Sequence, residues 1–140
     1  MPYEAFYVPA GPREGQDAAL RLGIDWAMTS QHEGLRGMAI NSWSTVQSRQ
    51  LIVDARPEFS LLTLVQRNPM PIEEVGPVLA IWPAPKTLAK AASYADGAEL
   101  CVIISSRYDV ADWIEESGAV ELTPDLLAER RPRRGNRRRS

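Results

Sequence analysis

The sequence predicts an α/β fold, a single open and mainly parallel sheet of five or six strands that is covered by helices. The first reason is the stretch 76–122, in which short apolar runs alternate with segments of helical periodicity. The second is the length of the segments between those runs, which suits the crossover helices that join parallel strands. The third is the composition, 44% hydrophobic and 24% charged, which is ordinary for a globular domain.

This stretch has the clearest element boundaries. Residues 78–82 form an apolar run typical of a strand, and the helix that follows is expected to end at Gly97. The run LCVII at 100–104 predicts the centre of the sheet, because a strand buried on both faces is apolar throughout. Asp109 then suits the start of a helix, and Gly118 suits its end.

Upstream of this stretch the same scheme is looser. Residues 3–8 and 60–65 read as strands, and 37–41 reads as a buried central strand. Between the predicted strands 3–8 and 37–41, the apolar spacing in 15–33 predicts a long helix, with Gly34 as the left-handed residue that ends it.

Two upstream segments are less regular. Residues 43–55 carry a weak helical stripe, although 51–53 could instead form a strand. Residues 68–77 contain three prolines and a glycine, which predicts a loop.

The end of the chain differs in composition from the rest. Residues 119–122 predict a strand at the sheet edge, and Thr123 with Pro124 predicts the cap and first residue of a short helix. The segment 130–140 contains no apolar residue and is expected to be disordered. We therefore predict one α/β domain at 1–129 followed by a flexible tail.

This tail is strongly basic, whereas the domain before it is acidic. The tail holds seven of the 16 basic residues and no acid, which leaves nine basic and 18 acidic residues, a net charge of −9, in the domain. Its arginines are Arg130, Arg131, Arg133, Arg134, Arg137, Arg138 and Arg139. Such a segment is suited to nucleic acid or to an acidic protein partner. It contains no aromatic residue, so stacking on single strands is not expected.

Candidate ligand-binding residues follow the predicted strands. Ligands of open parallel sheets bind beyond the carboxyl ends of the strands, where helix N-termini also attract anions. The candidates at those ends are Asn41, Ser42, Trp43, Trp82, Lys86, Thr87, Ser105, Ser106, Arg107 and Tyr108. They suit a nucleotide or another anion, although preference for serine and threonine at helix caps explains several of them equally well.

Sequence fingerprints of catalysis and of cofactor binding are absent. The chain has neither a G-x-G-x-x-G nor a G-x-x-x-x-G-K-[ST] motif, and it has no G-x-S-x-G elbow. His32 is the only histidine and Cys101 the only cysteine, so the usual nitrogen and sulfur metal sites are not expected. Cys101 lies in an apolar run and reads as a buried small hydrophobe, which favours a reducing compartment. We therefore expect no metal and no cofactor.

The sequence favours a non-enzymatic binding or protein-interaction module that its arginine-rich tail tethers to nucleic acid or to an acidic partner. The alternatives are a small enzyme or sensor that binds a nucleotide or other anion at the strand ends, and a homo-oligomeric scaffold built on apolar edge strands. No secretory signal and no apolar run of membrane-spanning length is present, so we expect a cytoplasmic protein that has no membrane contact. Arginine outnumbers lysine fourteen to two, which suggests a GC-rich bacterial coding sequence.

Overall fold

The described part of the chain forms one open sheet of six strands with helices on both faces. The computed structural model describes residues 3–32, 34–63 and 75–130. Every paired strand runs parallel to its neighbour, in the order β3-β2-β4-β5-β1-β6. The strands are β1 (Glu4–Val8), β2 (Leu35–Ala39), β3 (Ser60–Leu62), β4 (Val75–Ile81), β5 (Glu99–Ile103) and β6 (Val120–Glu121). The helices are α1 (Gln16–Met28), α2 (Trp43–Gln47), α3 (Gln50–Ala55), α4 (Pro85–Tyr94), α5 (Ala111–Ser117) and α6 (Pro124–Arg130).

This architecture confirms the predicted fold class. β4 and β5 lie at the centre of the sheet, as the apolar run 100–104 indicated, and all five residues of β5 are buried. Cys101 is fully buried there, as predicted. The tail was expected at 130–140, but Arg130 is the last residue of α6. Residues 131–140 lie outside the described part of the chain, so their predicted disorder stays a prediction.

The helices divide between the two faces of the sheet. One apolar core joins the sheet to α1, α2, α3 and α6 through buried residues that include Leu20, Ile52 and Leu127. The other core joins the sheet to α4 and to the start of α5 through residues that include Leu88 and Val110. Each strand of the centre is therefore buried on both sides, which explains its continuous apolar sequence.

Close packing of α1 on the sheet depends on a glycine. A Cβ atom on Gly23 would stand 2.8 Å from Cδ1 of Ile103 and 2.9 Å from Cδ1 of Leu79. Real Cβ atoms do not approach other carbon atoms so closely, so glycine at this position allows the helix to lie directly against β4 and β5.

The helix α1 is shorter than its sequence predicts. It ends at Met28 instead of near residue 33, and Gly34 has a left-handed φ of 110° but lies in the connection to β2. The reason is local hydrogen bonding. The Thr29 hydroxyl donates to the carbonyl of Asp25 at 2.7 Å, and the Ser30 hydroxyl donates to the carboxylate of Glu99. The second contact draws the chain away from the helix and toward the sheet.

Two further differences concern β4 and the segment before it. Residues 43–55 form two short helices and no strand, so the helical alternative is correct. β4 begins at Val75, whereas the sequence predicted a loop up to residue 77. Pro77 is accommodated because the pairing with β2 shifts between Leu35 and Gly37, and prolines within sheets occur at such irregularities. Residues 64–74 lie outside the described part of the chain.

Two predicted helix ends are confirmed and a third differs. The hydroxyl of Thr123 accepts a hydrogen bond from the N–H of Leu126 at 3.1 Å, as expected of a cap. Asp109 is not the cap of α5, because Val110 holds that position, but its carboxylate accepts the N–H of Ala111 at 2.9 Å and so shapes the turn into the helix. Gly118 follows α5 with a left-handed φ of 69°.

Candidate functional site

Strand order places two crevices at the carboxyl edge of the sheet. β2 and β4 are neighbours, but the helices that follow them cover opposite faces of the sheet. β1 and β5 are also neighbours, and the helices that follow them, α1 and α5, likewise cover opposite faces of the sheet. A crevice opens between strands whose connections diverge in this way, and ligands of open α/β sheets bind in such crevices.

A single side chain bridges the crevice between β2 and β4. The Asn41 amide nitrogen donates to the carbonyl of Trp82 at 2.8 Å, and its amide oxygen accepts the N–H of Ala84 at 2.9 Å. Asn41 follows β2, whereas the other two residues follow β4. This pair of hydrogen bonds therefore fixes the two strand ends relative to each other.

Trp82 has an unusual backbone conformation. Its φ of 48° is positive, the only such value at a non-glycine residue in the described part of the chain. A bulky residue in this region carries strain of about 1–3 kcal/mol. Hydrogen bonds hold it there, because its N–H donates to the carbonyl of Ile103 at 2.9 Å while its own carbonyl accepts from Asn41. Strain that the surroundings enforce is common at ligand sites.

The crevice between β1 and β5 widens into a cavity of about 670 Å³. The cavity extends from the turn after β1, at Pro9 and Gly11, across the end of β5 to Asn41 and Trp82. This volume lies within the range of about 300–1,000 Å³ that is typical of sites for small molecules. The two crevices therefore contribute to one cavity.

Among the described residues, the cavity lining contains two arginines and no carboxylate. Arg49 lies between α2 and α3, and its guanidinium donates to the side chains of Gln16 and, at 3.4 Å, Asp17. Arg107 is exposed in the turn after β5, and no described carboxylate lies within ion-pair distance of it. Arg107 thus brings positive charge to the cavity in an otherwise acidic domain, whereas Asp17, 3.4 Å away, partly offsets the charge of Arg49.

The helix α1 adds a favourable dipole on the same side. Gly15 and Gln16, at the N-terminus of this 13-residue helix, both line the cavity. Among the described residues no side chain caps that N-terminus, although a 3-10 turn at Arg13–Gly15 leads into it and the N–H of Gly15 donates to the carbonyl of Pro12 at 2.8 Å. The positive end of the helix dipole favours an anion beside these residues. In the opposite wall, the Ser105 hydroxyl accepts the N–H of Arg107 at 3.0 Å and shapes the turn that carries the arginine.

The structure brings together six of the ten residues that the sequence suggested for ligand binding. Those that line the cavity are Asn41, Trp82, Ser105, Ser106, Arg107 and Tyr108. The other four, Ser42, Trp43, Lys86 and Thr87, are not part of its lining. Trp43 is 55% exposed, and the guanidinium of Arg56 stands 5.4 Å from its ring centre. Thr87 is buried in α4, whereas Lys86 is exposed at the start of that helix.

Sequence reasoning missed the contribution of β1. Its carboxyl end, with Gly11 and the start of α1, forms one wall of the cavity, although the strand itself was recognised. Ligands bind beyond the carboxyl ends of parallel strands, and the same rule applied to β1 would have included these residues. Arg49 carried no such signal, because it follows a helix and reaches the cavity only through the packing of α3 against α1.

Comparison of the chain with protein-family models, with curated proteins and with solved structures gives no match. Within the described residues, no helix has the length and apolar character needed to cross a membrane.

Proposed function

We propose that this domain binds a small anionic ligand of the nucleotide class in the cavity at the carboxyl edge of its sheet. The observation that carries the proposal is the combination, in one cavity of about 670 Å³, of two arginines and an uncapped helix N-terminus with no carboxylate among the described lining residues. An anion gains from each of these groups.

The anionic part of the ligand fits between Arg107 and the start of α1. Within the described residues the guanidinium of Arg107 has no ion-pair partner, so it can donate two parallel hydrogen bonds to a phosphate. Arg49 is anchored to Gln16 and pairs with Asp17, so it supplies a positioned guanidinium beside the same N-terminus, with part of its charge offset. A phosphate at this point would exchange its bound water for these charged donors.

The remaining length of the cavity suits a planar group. Trp82 and Tyr108 both line it and are partly buried, so each offers an aromatic surface next to the cationic region. The backbone of Trp82 is held by hydrogen bonds to Ile103 and Asn41, and its side chain packs against the apolar core, so its ring loses little entropy when a ligand stacks on it. A nucleotide combines the two required parts, a phosphate and a planar base.

The proposal is one of binding and not of catalysis. The described lining residues contain no histidine, cysteine, aspartate or glutamate, the side chains that most often transfer protons or attack substrates. Serine and tyrosine hydroxyls are present, but no base stands beside them in the lining.

Calorimetric titration with ADP, AMP and inorganic phosphate tests this proposal. We expect ADP to bind more tightly than phosphate, and Arg107→Gln to weaken ADP at least tenfold, because a hydrogen bond between charged groups contributes about 1.5–3 kcal/mol. Arg21→Gln is the matched control, since Arg21 is exposed on α1 and does not line the cavity. Equal affinity in both variants, or no binding of any of the three probes, would refute the proposal.

The tail supports a second function, the attachment of the domain to nucleic acid or to an acidic partner. The observation that favours it is the seven arginines and no acid at 130–140. Contacts with seven phosphates would give a slope of log affinity against log salt near −6, because each contact contributes about −0.9. Binding of duplex DNA by the full chain and by a chain that ends at Glu129, at two salt concentrations, tests this. Equal affinities would exclude the tail as the tether. The predicted homo-oligomer stays a prediction.

A further inference from the structure

At the amino-terminal edge of the sheet, opposite the cavity, three potential metal ligands come together. One ligand atom each of Glu4, His32 and Glu99 lies within 4.8 Å of the other two. Glu4 begins β1, Glu99 begins β5, and His32 lies in the connection between α1 and β2. The residues are far apart in sequence, so their grouping is a product of the fold.

Strand pairing forces the two carboxylates to be neighbours. Glu4 and Glu99 are partners in the parallel register of β1 and β5, and paired residues project from the same face of a sheet. Like charges directly opposite each other are destabilising. Glu99 is moreover 0% exposed, and the Ser30 hydroxyl is one of its partners. A cation between the two carboxylates would offset the repulsion between them.

Ser30 contacts both the buried carboxylate and the backbone of the histidine. Its hydroxyl donates to Oε2 of Glu99, and the same hydroxyl oxygen accepts the backbone N–H of His32 at 3.1 Å. The serine therefore links the two ligands from outside the site. Metal ligands are commonly positioned by such outer hydrogen bonds.

The spacing of the donors is close to that of a metal site. Nε2 of His32 stands 3.7 Å from Oε1 of Glu4. Two ligands of a tetrahedral zinc ion, each at about 2.1 Å from the metal, stand about 3.4 Å apart. Small rotations of exposed side chains close this difference, since the side chain of Glu4 is 66% exposed and that of His32 is 35% exposed. The same exposure gives an ion access from solvent.

We propose that Glu4, His32 and Glu99 bind a divalent transition-metal ion, with Zn²⁺ as the best match. Imidazole and carboxylate together suit zinc, whereas Mg²⁺ and Ca²⁺ prefer sites made of oxygen alone. Three protein ligands leave the fourth position of a tetrahedral ion to water. This site is separate from the cavity and shares no residue with it.

Calorimetric titration of the chelator-treated full chain with ZnCl₂, and with MgCl₂ for comparison, tests the site. We expect zinc to bind with one ion per chain and magnesium to bind much more weakly. His32→Gln removes the only histidine of the chain and is expected to lower zinc affinity more than tenfold. Ser30→Ala is expected to lower it about 10- to 100-fold, the usual effect of losing an outer hydrogen bond. Glu121→Gln is the control, since it removes an exposed carboxylate on β6.

Visible absorption of the Co²⁺-substituted protein provides an independent readout, because a tetrahedral site gives intense d–d bands that an adventitious carboxylate site lacks. If Glu99→Gln does not fold, His32→Gln still tests the site, because the side chain of His32 is partly exposed. The proposal fails if the wild-type chain does not bind zinc, or if His32→Gln binds it as tightly as the wild type. If the wild-type chain does not bind zinc while His32→Gln is less stable than the wild type, the histidine acts in an ion pair with Glu4 instead, and this also overturns the proposal.

Discussion

Replacement of Asn41 by alanine removes the bridge between the ends of β2 and β4. The side chain makes two hydrogen bonds, one of 2.8 Å to the carbonyl of Trp82 and one of 2.9 Å from the N–H of Ala84. A typical hydrogen bond contributes about 0.5–1.5 kcal/mol to stability, so we expect Asn41→Ala to lower the free energy of unfolding by about 1–3 kcal/mol. Relief of backbone strain at Trp82 opposes part of this loss, which places the expected value in the lower half of that range.

Urea unfolding followed by far-ultraviolet circular dichroism measures this change, with an unchanged slope expected because the surface exposed on unfolding stays the same. Ser44→Ala is the control, since the one described partner of its exposed hydroxyl is the hydroxyl of Ser42. Exposed substitutions of this kind stay within about 0.5 kcal/mol of the wild type. Hydrogen exchange gives a local readout, because the amide of Ala84 loses its acceptor and should exchange faster. A stability equal to that of the Ser44→Ala control, together with unchanged exchange at Ala84, would refute the bridging role of Asn41.

Two other substitutions test the packing of α1 on the sheet and the cap of α6. Gly23→Ala should lower the unfolding free energy by up to about 2 kcal/mol, because overpacking costs about 1–3 kcal/mol while better helix propensity returns about 1 kcal/mol. Denaturant unfolding measures this effect, and a more stable variant would show that α1 does not lie as close to Ile103 and Leu79 as described. Thr123→Ala should cost about 0.5–2 kcal/mol through loss of the α6 cap. The same unfolding experiment applies, and no change in midpoint would exclude a capping role for the hydroxyl.

The alternation of apolar runs with helical segments was sufficient to predict the fold class. The run at 100–104 marks β5 because central parallel strands are buried on both faces, and Thr123 marks the start of α6 because its hydroxyl satisfies a helix N–H. Such signals are local, so they are readable in one sequence. The early end of α1 could not be predicted from the sequence, because it depends on a contact between Ser30 and Glu99, which are 69 residues apart.

The site was predicted less completely, for a related reason. Residues that directly follow strands, such as Trp82 and Arg107, were identified from the general geometry of parallel sheets. Arg49 reaches the cavity through helix packing, which no local pattern encodes. The grouping of His32 with Glu4 and Glu99 depends on strand order and on the register of β1 with β5, and neither is determined by spacing along the chain.

The central claim is that the cavity at the carboxyl edge binds an anionic, nucleotide-like ligand. The most direct measurement is a titration of the ¹⁵N-labelled full chain with ADP, followed through its assigned amide resonances. Binding in the cavity should shift the amides of Gly15, Gln16, Ser105 and Arg107 in a saturable manner, while the amide of Glu99 at the opposite edge stays unchanged. Saturable shifts confined to 131–140, or no shift at any amide that lines the cavity, would contradict the claim.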